Sequence, residues 1–581
     1  FLTDAIPEIA AWSAEHGRKL PLLRDVDSSY YLRQDTQGLN LGPYERNCRA
    51  HWTTAADPMP DDFSFQLYPD DLDRLEWYIE DAMARVPLLG SQGVSRVING
   101  PIPYAPDGHP MIGPMPGVDD AFEAHSFTFG IAQGGGAGKV MAEWLVNGGT
   151  HDDMWPVDPR RFTNYADDDY ALAKAQEVYG HEYAMHFPHQ EWPAGRGKRV
   201  SSLDATLRAA GGQMGVYGGW ERANWFAAPG DDTAYAPTQT WDRAGPWEPR
   251  VRAECAAVRD HAGVLALPGF SRFAVGGPGA AAALDTLIAG ALPKVGRLTL
   301  GYFPDERGRI LTEMSILRDA EDAFLLITAA PARWHDFELL RRGLGPDIEL
   351  RDVTEETEAL ILTGPAARDL LAPLTDGDLS RGWLTHQGAT VAGHTARLVR
   401  VSFAGELGWE VHAAPHAMPD IYAGLTGADA QPFGMYALDT LRLEKGYRSW
   451  KGDLSSAYTL LEAGLDRFLR LDKLADFPGK AALRAEAAAG PARRCVTLRI
   501  ETGPRDAPYM AGVWDGAQAV GEVTSAGYGY RVDAALALAM VATDHAQPGT
   551  RLTVDIFGDR CAAEVLPDGP AWDPANARIR A

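Results

Sequence analysis

The chain has 581 residues, which is too long for a single hydrophobic core, so three or four domains are expected. Apolar residues make up 45% and charged residues 23%, as in ordinary globular proteins. The formal net charge of −25 argues against nucleic-acid partners, because phosphate backbones repel so acidic a surface. The best apolar stretch, residues 534–542, falls well short of the ~20 residues that span a bilayer, so no membrane partner is expected.

The cysteine usage points to a reducing compartment. The chain has four cysteines, which are widely separated and show no CxxC spacing: Cys48, Cys255, Cys495 and Cys561. A zinc site or a disulfide framework is therefore not expected, and neither is any other metal. Buried free thiols of this kind are typical of a cytoplasmic protein, which is the location we predict.

Strands and helices alternate with irregular segments in the first 150 residues. Strands are predicted between residues 21 and 45, with a turn at Gln37-Gly38. Apolar residues recur at helical spacing over Asp70–Val86, and Pro87 should end that helix. Residues 99–117 are rich in proline and glycine, which predicts irregular backbone. A glycine run over residues 130–138 is expected to lead into a helix over Lys139–Asn147.

Three further segments follow. Residues 150–200 are polar and aromatic, which indicates a connecting segment. From Leu203 to about Leu474, short strands alternate with helices, for example a strand over Phe324–Ala329 and a helix over Ala332–Arg342. The last hundred residues are rich in strand patterns, including 494–500, 521–524 and 551–556, so a small β-barrel is predicted there.

The glycine run is the first candidate binding element. Gly134, Gly135 and Gly136 would let the backbone approach a flat ligand without Cβ clashes. Successive N–H groups at the start of a helix also attract negative charge. A flexible glycine loop with no ligand remains the alternative at this point, because glycine-rich turns before helices are common.

The surrounding motifs resemble the flavin domain of dimethylglycine and sarcosine dehydrogenases. The stretch Asn99–Pro114, the run Phe127–Gly135 and the upstream stretch Leu23–Arg33 all resemble that family. The resemblance implies an FAD site in which the proline-rich loop and the glycine turn flank the isoalloxazine ring. The carried-over cofactor residues are Pro101, Gly130, Ile131, Gln133, Gly134 and Gly135. It also places an aromatic residue near the amine substrate, which is either Tyr30 or Tyr31.

One part of the family pattern is not found. The family's flavin domain opens with a strand–GxGxxG–helix unit that holds the ADP part of FAD, and this chain shows no such unit. By resemblance, the chain begins partway through the flavin domain. The expectation is either a truncated product or a separate chain that supplies the other half, and this chain alone is expected to be colourless, without bound FAD.

The remainder, from about Leu203 onward, resembles the aminomethyltransferase (T-protein) of the glycine cleavage system, a module fused to these dehydrogenases. The motifs are Gly219–Phe226, Glu254–Val264, Phe403–Glu410, Asp439–Arg448 and Leu461–Asp466. The resemblance implies that Glu410 accepts paired hydrogen bonds from a pterin ring and that Arg442 contacts the folate. Phe403 stands where the family has tyrosine, and it keeps the stacking face. A surface acid and a helix-surface arginine are the alternatives for Glu410 and Arg442.

The resemblance also indicates a transfer acid. Glu313 stands at the position of a family aspartate that helps a folate amine attack the one-carbon unit. A buried carboxylate there could steer protons or stabilise a cationic intermediate. The alternative is a structural acid, because the longer side chain cannot keep the aspartate geometry.

Together these motifs imply an α+β multidomain enzyme. The expected domains are the C-terminal part of a DAO-like, glutathione-reductase-type flavin domain (1–148), a connecting domain (149–202), a T-protein-like folate-binding domain (203–474) and a C-terminal β-barrel (475–581). The implied reaction is oxidative demethylation of an N-methyl amino acid, dimethylglycine or sarcosine, using FAD and tetrahydrofolate. The alternative is a folate-binding module without oxidase activity.

Overall fold

The computed structural model describes residues 1–150, 152–233 and 240–581. These residues form two compact units, Phe1–Lys198 and Arg199–Ala581, and each is described by itself.

The first unit is built on a five-stranded antiparallel sheet whose strands lie in the order Leu23–Asp25, Tyr30–Asp35, Gly38–Pro43, Leu2–Thr3 and Val94–Arg96. The strands predicted between residues 21 and 45 are therefore confirmed. Helices Pro7–His16 and Glu76–Arg85 cover this sheet, with Ile6, Tyr30, Leu41, Tyr78 and Ala82 in the shared core. The second helix begins later than predicted. The side chain of Asp71 accepts a hydrogen bond from the Arg74 backbone, and the turn Asp73–Leu75 is 3₁₀.

Two predictions for the rest of this unit need correction, and the connecting segment, for which no helix or strand was predicted, contains a helix. The segment 99–117 is not wholly irregular, because Met111–Pro114 pairs with Phe122–His125. The glycine run does not precede a helix but belongs to one, Gly130–Asn147, because Ala137, Val140 and Trp144 bury one face of it. The connecting segment contains a helix, Asp168–Gly180, whose first turn is capped by the side chain of Asp167. Short 3₁₀ turns lie at Pro87–Ser91, Trp155–Val157 and Pro159–Tyr165.

The second unit contains two sheets. Sheet I runs in the order His386–Val391, His394–Val399, Gly408–Ala413, Glu358–Thr363, Gly263–Ala266 and Gln431–Pro432. Sheet II runs in the order Leu298–Pro304, Ile310–Ala320, Ala323–Ala329, Phe270–Gly276 and Glu349–Asp352. The other elements before the barrel are helices and one hairpin: Asp204–Ala209, Gly212–Tyr217 with Trp220–Phe226, Trp247–Asp260, Ala280–Asp285, Arg333–Leu344, Ala367–Leu371, Met418–Gly427 and Met435–Glu444.

Sheets I and II pack against each other through side chains on their inner faces. Helices Ala280–Asp285 and Arg333–Leu344 pack on the outer face of sheet II, and Ala367–Leu371 and Met418–Gly427 pack on the outer face of sheet I. On the inner faces, Leu298, Leu317 and Ile327 of sheet II contact Val399 of sheet I. Side chains alternate along a strand, so every second residue from these positions also points into the interior.

The chain ends in the predicted β-barrel. Its strands close in the order Arg493–Ile500, Ala534–Ala542, Gln518–Gly529, Gly512–Asp515, Arg551–Ile556 and Asp559–Val565. The apolar stretch noted in the sequence is one of these strands, paired on both sides. Helices Lys480–Ala489 and Ala577–Arg580 flank the barrel in the chain. No helix in the described ranges combines the length and apolar character needed to cross a membrane.

A buried ion network joins the barrel to sheet I. Arg531, in the barrel, donates to Glu406 at 2.7 Å and to the Ala404 carbonyl at 3.1 Å, and it also pairs with Glu444. All three charged side chains are at most 1% exposed. A buried charge is tolerated only when it is paired and hydrogen-bonded, so this network depends on every member.

Arg531→Leu is expected to destabilise the protein by about 3–5 kcal/mol, because it leaves Glu444 buried without its cation and leaves Glu406 paired with Arg578 alone. The measurement is the free energy of unfolding in denaturant. Arg551→Leu is the control, since the Arg551 side chain is 73% exposed and its ion pair with Glu564 contributes at most about 1 kcal/mol. Equal losses in the two variants would contradict the role of the network.

Candidate functional site

Glu313 lies on the inner face of sheet II. It pairs directly with Tyr302, and it shares its face with Leu317, four residues along the same strand. The residue is half-buried, and burial raises the pKa of its carboxyl to about 7, against a hydrogen bond from Tyr302 that lowers it. Burial also raises the pKa of Tyr302. A carboxyl with a pKa near 7 can give or take a proton near neutral pH, which suits proton transfer.

Glu410 lies on the inner face of sheet I, beside a histidine that the sequence analysis did not single out. Glu410 and His412 are two residues apart on one strand and therefore point the same way. The His412 Nε2 lies 2.9 Å from a Glu410 carboxylate oxygen. Burial lowers the pKa of His412, although Glu410 raises it, so the ring is neutral and its Nε2–H donates to the carboxylate. This bond fixes one Glu410 oxygen and leaves the other for a ligand.

Arg272 is a buried cation close to Glu410 and His412. It stands opposite Ile327 on the inner face of sheet II and is 3% exposed. Its Nη1 donates to the Phe270 carbonyl at 3.0 Å, while Nε and Nη2 have no hydrogen-bond partner among the described residues. Burial lowers the pKa of Arg272 to about 10, and the charge of Glu410 opposes that shift. The facing sheets thus bring Arg272 close to Glu410 and His412. Glu313 lies on the same inner face of sheet II as Arg272.

The side chain of Arg442 already donates hydrogen bonds to other groups of the protein. Its Nη1 donates to Asp453 at 2.9 Å, to Ser525 at 3.1 Å and to the Tyr447 carbonyl at 3.0 Å, and its Nε donates to Asp439 at 2.8 Å. The side chain is 3% exposed. These bonds join the helix Met435–Glu444 to the barrel strand Gln518–Gly529. These contacts give Arg442 a structural role, and its role as a folate contact stays a prediction.

Phe403 forms an aromatic pair near the end of the same helix. Its ring stacks on Tyr447 with centroids 5.8 Å apart and an angle of 21° between the ring planes. Phe403 is 38% exposed, so part of the ring remains open to a ligand. Stacking of Phe403 on a folate ring stays a prediction.

The flavin candidates lie in the first unit. Gly134, Gly135 and Gly136 are exposed on the helix Gly130–Asn147, and a Cβ at any of them would meet no described atom within 4 Å. Glycine in a helix interior costs roughly 1 kcal/mol relative to alanine, so packing within the unit does not explain these glycines. They fit a surface that a flat cofactor approaches closely.

The other candidates in the first unit differ in exposure. Gly130, Ile131 and Gln133 are in the first turn of the same helix, with Ile131 fully exposed, and Pro101 is exposed in the proline-rich loop. Tyr30 is 1% exposed and belongs to the core, whereas Tyr31 points to the other side of the strand, over Gly42. Of the two tyrosines, Tyr31 is therefore the less buried, and a place for either beside the substrate stays a prediction.

Known protein families match both units of the chain. Residues 1–144 match the FAD dependent oxidoreductase family, 147–201 its central domain, 203–473 the GCVT N-terminal domain and 493–573 the glycine cleavage T-protein C-terminal barrel domain. Dimethylglycine dehydrogenase from Mus musculus, a mitochondrial protein, is 35% identical over 100% of this chain and 67% of its own length. The chain belongs to the dimethylglycine and sarcosine dehydrogenase family.

Two further relatives support the family assignment. Mitochondrial sarcosine dehydrogenase from Mus musculus is 30% identical over 97% of this chain and 66% of its own length. The crystal structure of aminomethyltransferase T of the glycine cleavage system from Bartonella henselae matches with a TM-score of 0.55 and 25% identity, covering 64% of this chain and 97% of that one. The chain thus spans about two thirds of the length of the dehydrogenases it matches.

Family membership confirms the predicted fold class, an enzyme of this family, and FAD and tetrahydrofolate as its cofactors. The two dehydrogenases are mitochondrial by name, so the predicted cytoplasmic location gains no support from them. A separate chain that supplies the rest of the flavin domain stays a prediction. The site residues also stay predictions, now with positions in the fold.

His412 gives a test of the site that needs no other domain. His412→Leu removes the donor to Glu410 and is expected to weaken tetrahydrofolate binding by about threefold to tenfold, because a bond that orients a charged group contributes about 0.5–1.5 kcal/mol. His412→Gln keeps an N–H at a similar reach and should bind within about twofold of the parent. Calorimetric titration measures both. Equal loss of affinity in the two variants would show that the His412 N–H does not contribute to tetrahydrofolate binding.

Proposed function

We propose that the protein catalyses FAD-dependent oxidative demethylation of dimethylglycine and passes the one-carbon unit to tetrahydrofolate, giving 5,10-methylenetetrahydrofolate. The observation that carries this proposal is the pair of carboxylates, Glu313 and Glu410, on facing sheets of a T-protein-like module. Dimethylglycine is preferred to sarcosine because the dimethylglycine dehydrogenase is the more similar relative, at 35% against 30% identity.

The residues between the sheets have separable tasks. Glu410, held by His412 and facing the charge of Arg272, would accept the N–H edge of the pterin. Glu313, held by Tyr302, would exchange a proton with a folate amine, because its pKa of about 7 lets it give or take one at neutral pH. Phe403 would offer a ring face. Tetrahydrofolate supplies the nucleophilic nitrogens when bound.

The first unit would hold the oxidising half of the reaction. The exposed glycines of the helix Gly130–Asn147 fit the close approach of the flavin ring, and the N–H groups of its first turn favour negative charge on it. FAD accepts the hydride when bound. Tyr31 would present an aromatic face to the methylated ammonium group of the substrate, an interaction that aromatic rings favour.

The test follows both halves of the reaction in the purified holoenzyme. Dimethylglycine should bleach the flavin absorbance, and added tetrahydrofolate should divert formaldehyde into methylenetetrahydrofolate. Sarcosine should do so more slowly. Tetrahydrofolate binding without amine-dependent bleaching would instead favour the alternative, a folate-binding module without oxidase activity.

A further inference from the structure

Three buried polar atoms between sheets I and II have no hydrogen-bond partner among the described residues. They are Nε and Nη2 of Arg272 and Nδ1 of His412. Both residues are at least nine-tenths buried, so bulk solvent does not reach these atoms. Folded proteins pair nearly all buried donors and acceptors, either with protein groups or with ordered water, because an unpaired one is destabilising. These three atoms therefore need a partner.

The two side chains lie close to each other across the sheets. Arg272 stands opposite Ile327 on sheet II, and Glu410 stands opposite Val399 on sheet I. Ile327 and Val399 belong to one hydrophobic cluster, so their strand neighbours meet there too. His412 lies two residues beyond Glu410 on the same face. Burial lowers the pKa of His412, and the charge of Arg272 adds to that shift, which agrees with this closeness.

The free atoms of the two side chains are complementary. Because the neutral His412 ring donates its Nε2–H to Glu410 over 2.9 Å, its Nδ1 carries a lone pair and accepts. Nε and Nη2 form one edge of the Arg272 guanidinium, and both carry N–H donors. One water can accept from both atoms of that edge and donate to Nδ1, making about three hydrogen bonds, as buried waters do. An anion does not fit, because it would face the Nδ1 lone pair and the nearby Glu410 carboxylate.

We propose that Arg272 is a positioning residue for folate binding, and that it acts through one buried water that links its Nε–Nη2 edge to Nδ1 of His412. Because both lone pairs of the water accept from Arg272, only its O–H groups face Nδ1. The ring proton is therefore kept on Nε2, where it points to Glu410. Each member of this chain of hydrogen bonds orients the next. The inference rests on the proposed folate site at Glu410.

A crystal structure of the parent protein tests the water directly. Density is expected for one water within about 3.2 Å of Nε and Nη2 of Arg272 and of Nδ1 of His412. Nitrogen-15 NMR of histidine-labelled protein at pH 8 tests the role of Arg272. Arg272→Met removes both donors that hold the water, so the Nδ1 resonance of His412 should move downfield as that atom loses its hydrogen bond. Arg272→Lys keeps a donor and should move the resonance back toward its parental position.

Tetrahydrofolate binding tests the consequence for the site. Arg272→Met is expected to weaken binding about threefold. The double variant Arg272→Met/His412→Leu should bind no more weakly than His412→Leu alone, because the two residues act through one chain of bonds. The control is Arg397→Gln. The charge of Arg397 also acts on His412, but its Nη1 donates to Asp319 at 2.6 Å, so this variant should leave the Nδ1 resonance and the affinity unchanged.

The outcomes separate this inference from the proposed function. Absence of the water in the parent crystal structure overturns the inference, even if Arg272→Met does not fold. A parental Nδ1 resonance or parental affinity in Arg272→Met overturns it as well, and so do additive losses in the double variant. In all of these cases, tetrahydrofolate binding by the parent leaves the proposed function standing. A parent protein that binds no tetrahydrofolate overturns the proposed function and the positioning role together.

Discussion

Glu410→Ala is expected to weaken tetrahydrofolate binding by about tenfold or more while the fold stays intact. The substitution removes a carboxylate that would accept charge-assisted hydrogen bonds from the pterin, and such bonds contribute roughly 1.5–3 kcal/mol. The effect should be large because the replacement also leaves the buried Arg272 and His412 facing no carboxylate at this position. Calorimetric titration with tetrahydrofolate measures the dissociation constant.

The matched control for Glu410 is Glu349→Ala. Glu349 lies on the edge strand of sheet II, and its side chain is 64% exposed, so its loss should leave folate affinity unchanged. Thermal melting of both variants separates a binding defect from a folding defect. A Glu410→Ala variant with parental affinity would remove this carboxylate from the site.

Glu313→Gln is expected to leave amine oxidation nearly normal and to slow transfer of the one-carbon unit to folate. If Glu313 takes a proton from the folate amine, its ionised form is the active one. Because the pKa of Glu313 is about 7, transfer in the parent should rise with pH through that value. The variant should be slow at every pH and should release more formaldehyde per flavin reduced. The measurement is the ratio of formaldehyde to methylenetetrahydrofolate from pH 6 to 8.

The raised pKa of Glu313 also makes the stability of the folded protein depend on pH. The folded-state pKa of Glu313 lies above its ordinary value of 4.5, so the folded protein binds this proton more tightly than the unfolded chain does. Its contribution to stability is therefore fully present below pH 4.5 and is lost as the pH rises through about 7. Glu313→Gln should remove that part of the pH dependence. A parental pH profile for both transfer and stability would mean that Glu313 does not titrate in this range.

The sequence predicted the site residues that stand in motifs, but not the residues that support them. Glu313 and Glu410 were found through resemblance, and the structure places both on inner faces. Arg272 and His412 lie near each other because strands that are distant in the sequence face each other. A local sequence pattern does not predict such a contact. A buried arginine in an apolar strand, Phe270–Gly276, was the available signal, since such a charge needs a reason to be there.

The fold was predictable where local pattern and burial agree. The strands of residues 21–45 and of the barrel alternate in the usual way, and both were predicted correctly. The glycine run was misjudged because glycine propensity predicts a break, whereas the buried face of Ala137, Val140 and Trp144 holds the helix together. Tertiary packing, which a single sequence does not display, decided that element.

The ion network around Arg531 joins residues that are far apart in the sequence. Arg531 binds the Ala404 carbonyl, 127 positions away, and Arg578 binds the Arg259 carbonyl, 319 positions away. Trp572 also donates to Glu406 at 2.8 Å. During synthesis, Glu406, which follows Phe403 in the chain, therefore stays without these partners until the barrel has been made. Such long-range closure slows folding. The sheets and the barrel should consequently melt in a single transition, which a calorimetric scan of the second unit would display as one peak.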